Sequence, residues 1–152
     1  MFKHEDWPGL NKLSGIRNGC DTDEVPRLSI LVGNAALFLP QELQRGADGA
    51  MTGFPYVKML VVVEDLHRNG EIDKAEDIFD TFLPLIRYDQ QLGIGMSIRK
   101  EILYRENLIK SPFVRLPRSD MSETDYKELT RLMDRLDEKL KVSGYGALIE
   151  NY

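Results

Sequence analysis

Met1-Phe2-Lys3-His4-Glu5-Asp6 opens the chain and is followed by a break at Trp7-Pro8-Gly9. An apolar entry that ends in lysine and then turns reads as the C-terminal end of a strand. In parallel α/β folds that end is where ligands bind and chemistry happens. Working outward, Leu10, Leu13 and Ile16 fall at helical spacing, and Gly19 stops that helix. The stretch Asp21-Thr22-Asp23-Glu24-Val25-Pro26 reads as an acidic surface loop. The continuous apolar run Leu28 to Val32, ended by Gly33-Asn34, suits a parallel strand covered on both faces. Ala35 to Arg45 reads as helical. Pro40 is tolerated only in a first turn, so the regular part starts near Leu39. Gly46-Ala47-Asp48-Gly49 then leads into Ala50-Met51-Thr52-Gly53, a short small-residue strand.

From Tyr56 the pattern changes. Tyr56, Met59, Leu60, Val63 and Leu66 mark an amphipathic helix ending at Asn69-Gly70. A second runs from Ile72 through Ala75, Ile78, Phe79, Phe82 and Ile86, with Pro84 expected to kink it. A third spans roughly Met96 to Leu108. A fourth starts at the cap Ser122, with Asp125 three residues on, carries Leu129, Leu132, Met133, Leu136 and Leu140, and ends at Gly144. The periodicity assigns nothing to the tail up to Tyr152. The order β-α-β-α-β-α followed by helices implies parallel strands joined by right-handed crossovers.

At 152 residues, 42% of them hydrophobic, the chain can build one core. Its net charge of −5, without a basic cluster, argues against nucleic acid and anionic membrane surfaces as partners. The longest apolar stretch, Met59 to Val63, is far below membrane-spanning length. The acidic N-terminus lacks a signal-peptide pattern. One cysteine, Cys20, rules out an internal disulfide framework, and a cytoplasmic location fits.

A lysine amine attacks a ketone only when unprotonated, which burial in an apolar site favours. At a strand end Lys3 can be held in such a site; the plain alternative is a solvated terminal lysine. Gly33 and the Gly49 to Gly53 segment close the other strands, where small residues let backbone amides approach a carboxylate, or simply make tight turns. Gly93-Ile94-Gly95 lacks the third glycine and the preceding strand of a dinucleotide fingerprint. His4 and His67 have no metal-ligand neighbour at helical spacing, and Cys20 reads as a packed thiol.

Taken in order, these pieces resemble the C-terminal half of the dihydrodipicolinate synthase/N-acetylneuraminate lyase family. Met1-Phe2-Lys3-His4-Glu5-Asp6 looks like the sixth barrel strand, which in that family ends in the Schiff-base lysine. Leu31-Val32-Gly33-Asn34 looks like the seventh strand and its glycine turn. Arg45-Gly46-Ala47-Asp48-Gly49-Ala50-Met51-Thr52-Gly53 is similar to the Gly-x-x-Gly-x-x-Ser segment leading through the eighth. Leu83-Pro84-Leu85 and Val114-Arg115-Leu116-Pro117 match recurrent features of the family's C-terminal helices.

The resemblance implies a partial (β/α)₈ barrel, its last three strands and their helices in residues 1–70, followed by a helical extension in 71–152 and mostly helical by content. It implies a homotetramer and class I lyase or aldolase chemistry on pyruvate or another 2-keto acid, with no cofactor and no metal. Lys3 would form the imine; Gly33, the backbone of Met51, and Thr52 would line the keto-acid pocket. One departure is His4-Glu5-Asp6 after the lysine, where the synthases carry glutamate-alanine. The other is that the first five strands, with a threonine pair that binds carboxylate and a proton-relaying tyrosine, have no counterpart here. The chain is therefore expected to behave as an inactive, association-prone fragment. A reading of another class, a noncatalytic helical protein-interaction module, rests on the amphipathic helices.

Overall fold

The computed structural model describes residues 1–20 and 22–151. Asp21, within the expected acidic loop, and the terminal Tyr152 lie outside the described residues. Three short strands, β1 (Phe2–His4), β2 (Ile30–Val32) and β3 (Gly49–Ala50), form a parallel sheet in the order β1-β2-β3. Lys3 pairs with Leu31 and His4 with Val32, and the same two β2 residues face Gly49 and Ala50 on the other side. The ladder runs one step past the strands: the Gly33 N–H donates to the His4 carbonyl at 2.7 Å, and that of Met51 to the Val32 carbonyl at 2.7 Å. Side chains alternate across a sheet, so Lys3 and Leu31 share one face while His4 and Val32 share the other.

The first helix, α1 (Asn11–Gly19), crosses from β1 to β2 and buries Leu13. From it Arg17 donates to the carbonyls of Gly46 and Leu28 and to the Asp48 carboxylate, tying the entries of β2 and β3 together. Burial works against the charged Asp48, but the Ile30 N–H, Arg27 and Arg17 outweigh it and hold the carboxyl below its ordinary range.

The structure shortens or splits several expected elements. β2 keeps only Ile30–Val32 of the apolar run, and β3 stops at Ala50, with Met51, Thr52 and Gly53 in irregular backbone. No continuous helix spans Ala35 to Arg45. Asn34, Ala35 and Ala36 form a 3₁₀ turn with φ of 45°, 52° and 61°, and α2 is confined to Leu39–Gln44 with Pro40 in its first turn. Left-handed backbone costs about 1–2 kcal/mol per non-glycine residue. Here it swings the chain off the end of β2, and the N–H groups of Ala36 and Leu37 close back on the carbonyls of Gly33 and Asn34.

The helical part follows its apolar stripes closely. α3 (Val57–Arg68) packs on α4 (Ile72–Asp89) through Met59, Val62, Val63 and Leu66 on one side and Ile78, Phe79, Phe82 and Ile86 on the other. α4 continues through Pro84 as one helix. α5 (Gly95–Arg105) adds Ile98 and Ile102, ending three residues before Leu108. α6 (Glu123–Ser143) begins with a capping box between Ser122 and Asp125, ends on left-handed Gly144 and buries Leu129 and Leu136. A last helix, α7 (Tyr145–Glu150), covers the tail and contacts α3 and α6. No described helix is long and apolar enough to cross a membrane.

Candidate active site

Past the C-terminal ends of the strands lies a cleft of about 400 Å³ lined by Lys3, Glu5, Asn34, Ala35, Met51, Thr52, Gly53, Gln90 and Arg99. Its floor is the sheet face that carries Lys3. The Lys3 Nζ lies 2.7 Å from Glu5 Oε1, and both side chains are about half exposed, 48% and 49%. Glu5 follows Lys3 by two residues, so the alternation of an extended chain returns it to the same face. Its carboxylate lies over Gly33: a Cβ built there would stand 2.4 Å from both Glu5 oxygens. Gly33 is thus a seat for Glu5, which in turn holds Lys3, rather than a wall of the cleft itself.

The apolar enclosure expected around Lys3 is not what the structure shows. Leu31, its β2 neighbour, is only partly buried, whereas Ile30 and Val32 on the opposite face are fully buried. The backbone amides of Gly33 and Met51, expected to approach a carboxylate, are engaged in the sheet ladder. Met51 and Thr52 line the cleft, and the Thr52 Oγ1 accepts from the Phe54 N–H at 3.4 Å. Of the expected site residues, Lys3, Met51 and Thr52 therefore share one cavity, with Gly33 directly beneath Glu5.

Other residues of the site escaped the sequence reading. Asn34 donates to both Asp6 oxygens at 3.0 Å, fixing the left-handed turn to the segment after β1. Arg99, from α5, donates its Nε–H to both oxygens of buried Asp89 at 2.8 and 2.9 Å. Burial pushes the Asp89 carboxyl up, to about 6, although Arg99 opposes the shift. Glu5 was within reach of sequence reasoning through its two-residue offset from Lys3; Arg99, about a hundred residues from the strand, carried no local signal.

Behind the cleft, on the covered face, His4 Nδ1 lies 2.8 Å from Glu42 Oε1 of α2, both side chains buried. Burial, helped by the charges of Asp6 and Glu5, pushes Glu42 up to about 7, and burial with nearby Lys12 pulls His4 down. His4 Nε2 is buried without a hydrogen-bond partner among the described residues. No group of three or more His, Cys, Asp or Glu among the described residues is arranged to hold a metal ion.

No protein-family model matches the chain. Among curated proteins, the L-2-keto-3-deoxyarabonate dehydratase of Azospirillum brasilense is 31% identical over 137 residues, 90% of this chain and 43% of that protein. Among solved structures, dihydrodipicolinate synthase from Rhodopseudomonas palustris superposes with a TM-score of 0.83 at 45% identity, over 88% of this chain and 44% of that one. The 4-hydroxy-tetrahydrodipicolinate synthase of Methylacidiphilum fumariolicum SolV shares the fold, with a TM-score of 0.75 at 24% identity over 99% of this chain and 47% of its own. The chain thus spans less than half the length of these relatives.

Proposed function

We propose, for a chain that belongs to the dihydrodipicolinate synthase/N-acetylneuraminate lyase family and represents a C-terminal portion of such a protein, a Schiff-base lyase activity on pyruvate or another 2-keto acid. The observation that carries the reading is Lys3 at the C-terminal end of β1, facing a cleft, with a carboxylate 2.7 Å from its amine. The unprotonated Lys3 amine adds to the keto carbon and water leaves, giving an imine whose protonated form accepts an electron pair. That pair comes from a breaking carbon–carbon bond or from the C–H bond of a proton lost beside the imine. The enamine so formed takes up a proton or expels hydroxide as water, and hydrolysis of the imine returns the amine. Glu5 is placed to exchange a proton with Lys3 as the imine forms and breaks.

Met51 and Thr52 form the wall across the cleft from Lys3, on the β3 side, and are the residues proposed to contact the keto acid. Gly33 acts beneath them by seating Glu5. The reaction draws on Lys3 itself and calls for no cofactor. Residues 1–152 alone are expected to turn over no substrate and to self-associate, because three strands supply one wall of the site and β1 leaves an open sheet edge. In the whole protein a homo-oligomer is the expected state, and the dehydratase relative makes elimination of water as eligible an outcome as carbon–carbon cleavage.

The test is intact mass after incubation of the full-length gene product with pyruvate and borohydride, alongside Lys3→Ala. A reduced pyruvyl adduct on the wild type that disappears in the variant is the expected result. An unlabelled wild type, or an adduct that survives Lys3→Ala, removes the Schiff-base assignment.

A further inference from the structure

The wall of the cleft away from Lys3 holds a guanidinium that its own ion pair leaves half used. Asp89 is met by the Nε–H of Arg99 alone, which reaches both carboxylate oxygens. The terminal nitrogens of the Arg99 fork have no hydrogen-bond partner among the described residues, although Arg99 lines the cleft. An arginine serving only as a counter-ion commonly offers two parallel N–H groups to the carboxylate; here the fork end is spared. Two glycines make the placement possible. A Cβ on Gly53 would stand 2.8 Å from Arg99 Nη1, and a Cβ on Gly95 would stand 2.5 Å from the Asp89 carbonyl oxygen. Arg99 is thus pinned by a buried carboxylate behind it and admitted by a bare backbone in front.

Its position sets what it can hold. Lys3 stands on β1, whereas Gly53, against which Arg99 packs, follows β3, and β2 lies between them. The two strands lie two inter-strand spacings apart, roughly 10 Å, so Lys3 and Arg99 enter the one cleft from opposite sides. Pyruvate joined to Lys3 has only its C1 carboxylate, whereas a 2-keto acid with a second carboxylate carries one away from the imine toward Arg99.

We infer that Arg99, held by Asp89 and admitted by Gly53, binds a carboxylate at the far end of a 2-keto acid longer than pyruvate. This deepens the proposed function and rests on it for the role of Lys3. It assigns the helical part of the chain a share in substrate selection, with Arg99 as a binding residue and Asp89 as the group that positions it.

The test uses the full-length gene product and three probes: pyruvate, 2-oxoadipate and adipate. The variants are Asp89→Asn/Arg99→Gln, which removes both members of the pair so that no buried charge is stranded, and Arg99→Lys, which keeps the charge beside Asp89 but loses the fork. Half-saturation of borohydride trapping by 2-oxoadipate is expected to rise tenfold or more in the double variant, with pyruvate moving less than twofold. Arg99→Lys should show the same split more weakly, and it decides the matter if the double variant does not fold. Equal shifts for both keto acids, or none, overturn the inference. Adipate has no ketone, so its calorimetric binding does not require the imine. If no keto acid labels Lys3, the Schiff-base reading fails by itself. The Arg99 subsite then stands if the variants weaken adipate tenfold, and falls if wild type and variants bind adipate alike or the wild type does not bind it.

Discussion

Lys3 and His4 are neighbours on one short strand and occupy opposite faces of one sheet. His4 is sealed between the sheet and α2, paired with Glu42. Lys3 is half open to the cleft, paired with Glu5. The two ion-pairing motifs look alike in a list of residues, yet burial makes them different chemistry. On the covered face the pair is shielded from bulk solvent, the charged forms are penalised, and both partners move toward neutrality. On the open face both side chains reach solvent, and the amine can be exchanged with a ligand. The strand thus separates a buried polar contact from the one proposed to be reactive by a single residue.

Substitutions at matched positions sharpen that contrast. The largest effect is expected for Lys3→Ala: turnover by the full-length protein should fall at least about a thousandfold, roughly 4 kcal/mol in barrier, while stability in urea stays within about 0.5 kcal/mol. A folded variant that retains turnover would break the division between the faces. Next comes Ile30→Ala on the covered face, expected to cost about 3 kcal/mol in urea unfolding. Leu31→Ala, one residue along on the open face, should cost distinctly less, and equal losses would mean that the open face is covered in solution.

Glu42→Gln gives a pH test of the covered face. The folded protein holds Glu42 near 7, above the 4.5 it has when unfolded. Below 4.5 the carboxyl is protonated in both states and its contribution is intact; between 4.5 and 7 the unfolded chain ionises first, and stability is lost. His4, lowered in the folded state, acts in the opposite sense, gaining stability as pH rises toward 6.5. Comparison with Glu42→Gln isolates the carboxyl: the variant should gain about 3 kcal/mol on wild type between pH 4.5 and 8. Parallel pH profiles of urea midpoints would show that Glu42 ionises freely. The smallest effect is expected at Gly33→Ala, about 1 kcal/mol, since the new methyl meets the end of a movable carboxylate. Its signature is displacement of Glu5 from Lys3, read as a shift in the pH profile of imine trapping.

The sequence disclosed what local rules control. The β1 break, the apolar stripes of α3 and α4, the Ser122–Asp125 box and the Gly144 cap depend on neighbours within a few residues, and the structure forms each of them. The turn after β2 was misread because Ala35-Ala36 favours a right-handed helix on propensity. Its left-handed course is imposed by Asp6 holding Asn34 and by the exit from the sheet. β3 was placed too late because Met51 continues the ladder through one hydrogen bond without remaining a strand residue. Within the site, Lys3 was legible from its position at a strand end. Glu5 was legible only through two-residue alternation joined to the space above Gly33, and Arg99 only through its packing against Gly53 and its pairing with Asp89 of α4.

The most direct measurement is residue-level mapping of the borohydride-reduced pyruvate adduct by peptide mass spectrometry on the full-length protein. Lys12 is the informative control, since it sits close by but donates to the carbonyls of Glu5 and Trp7. The account predicts a label confined to Lys3. A label on Lys12, or one spread over surface lysines, would contradict the claim that the open face of β1 carries the reactive amine.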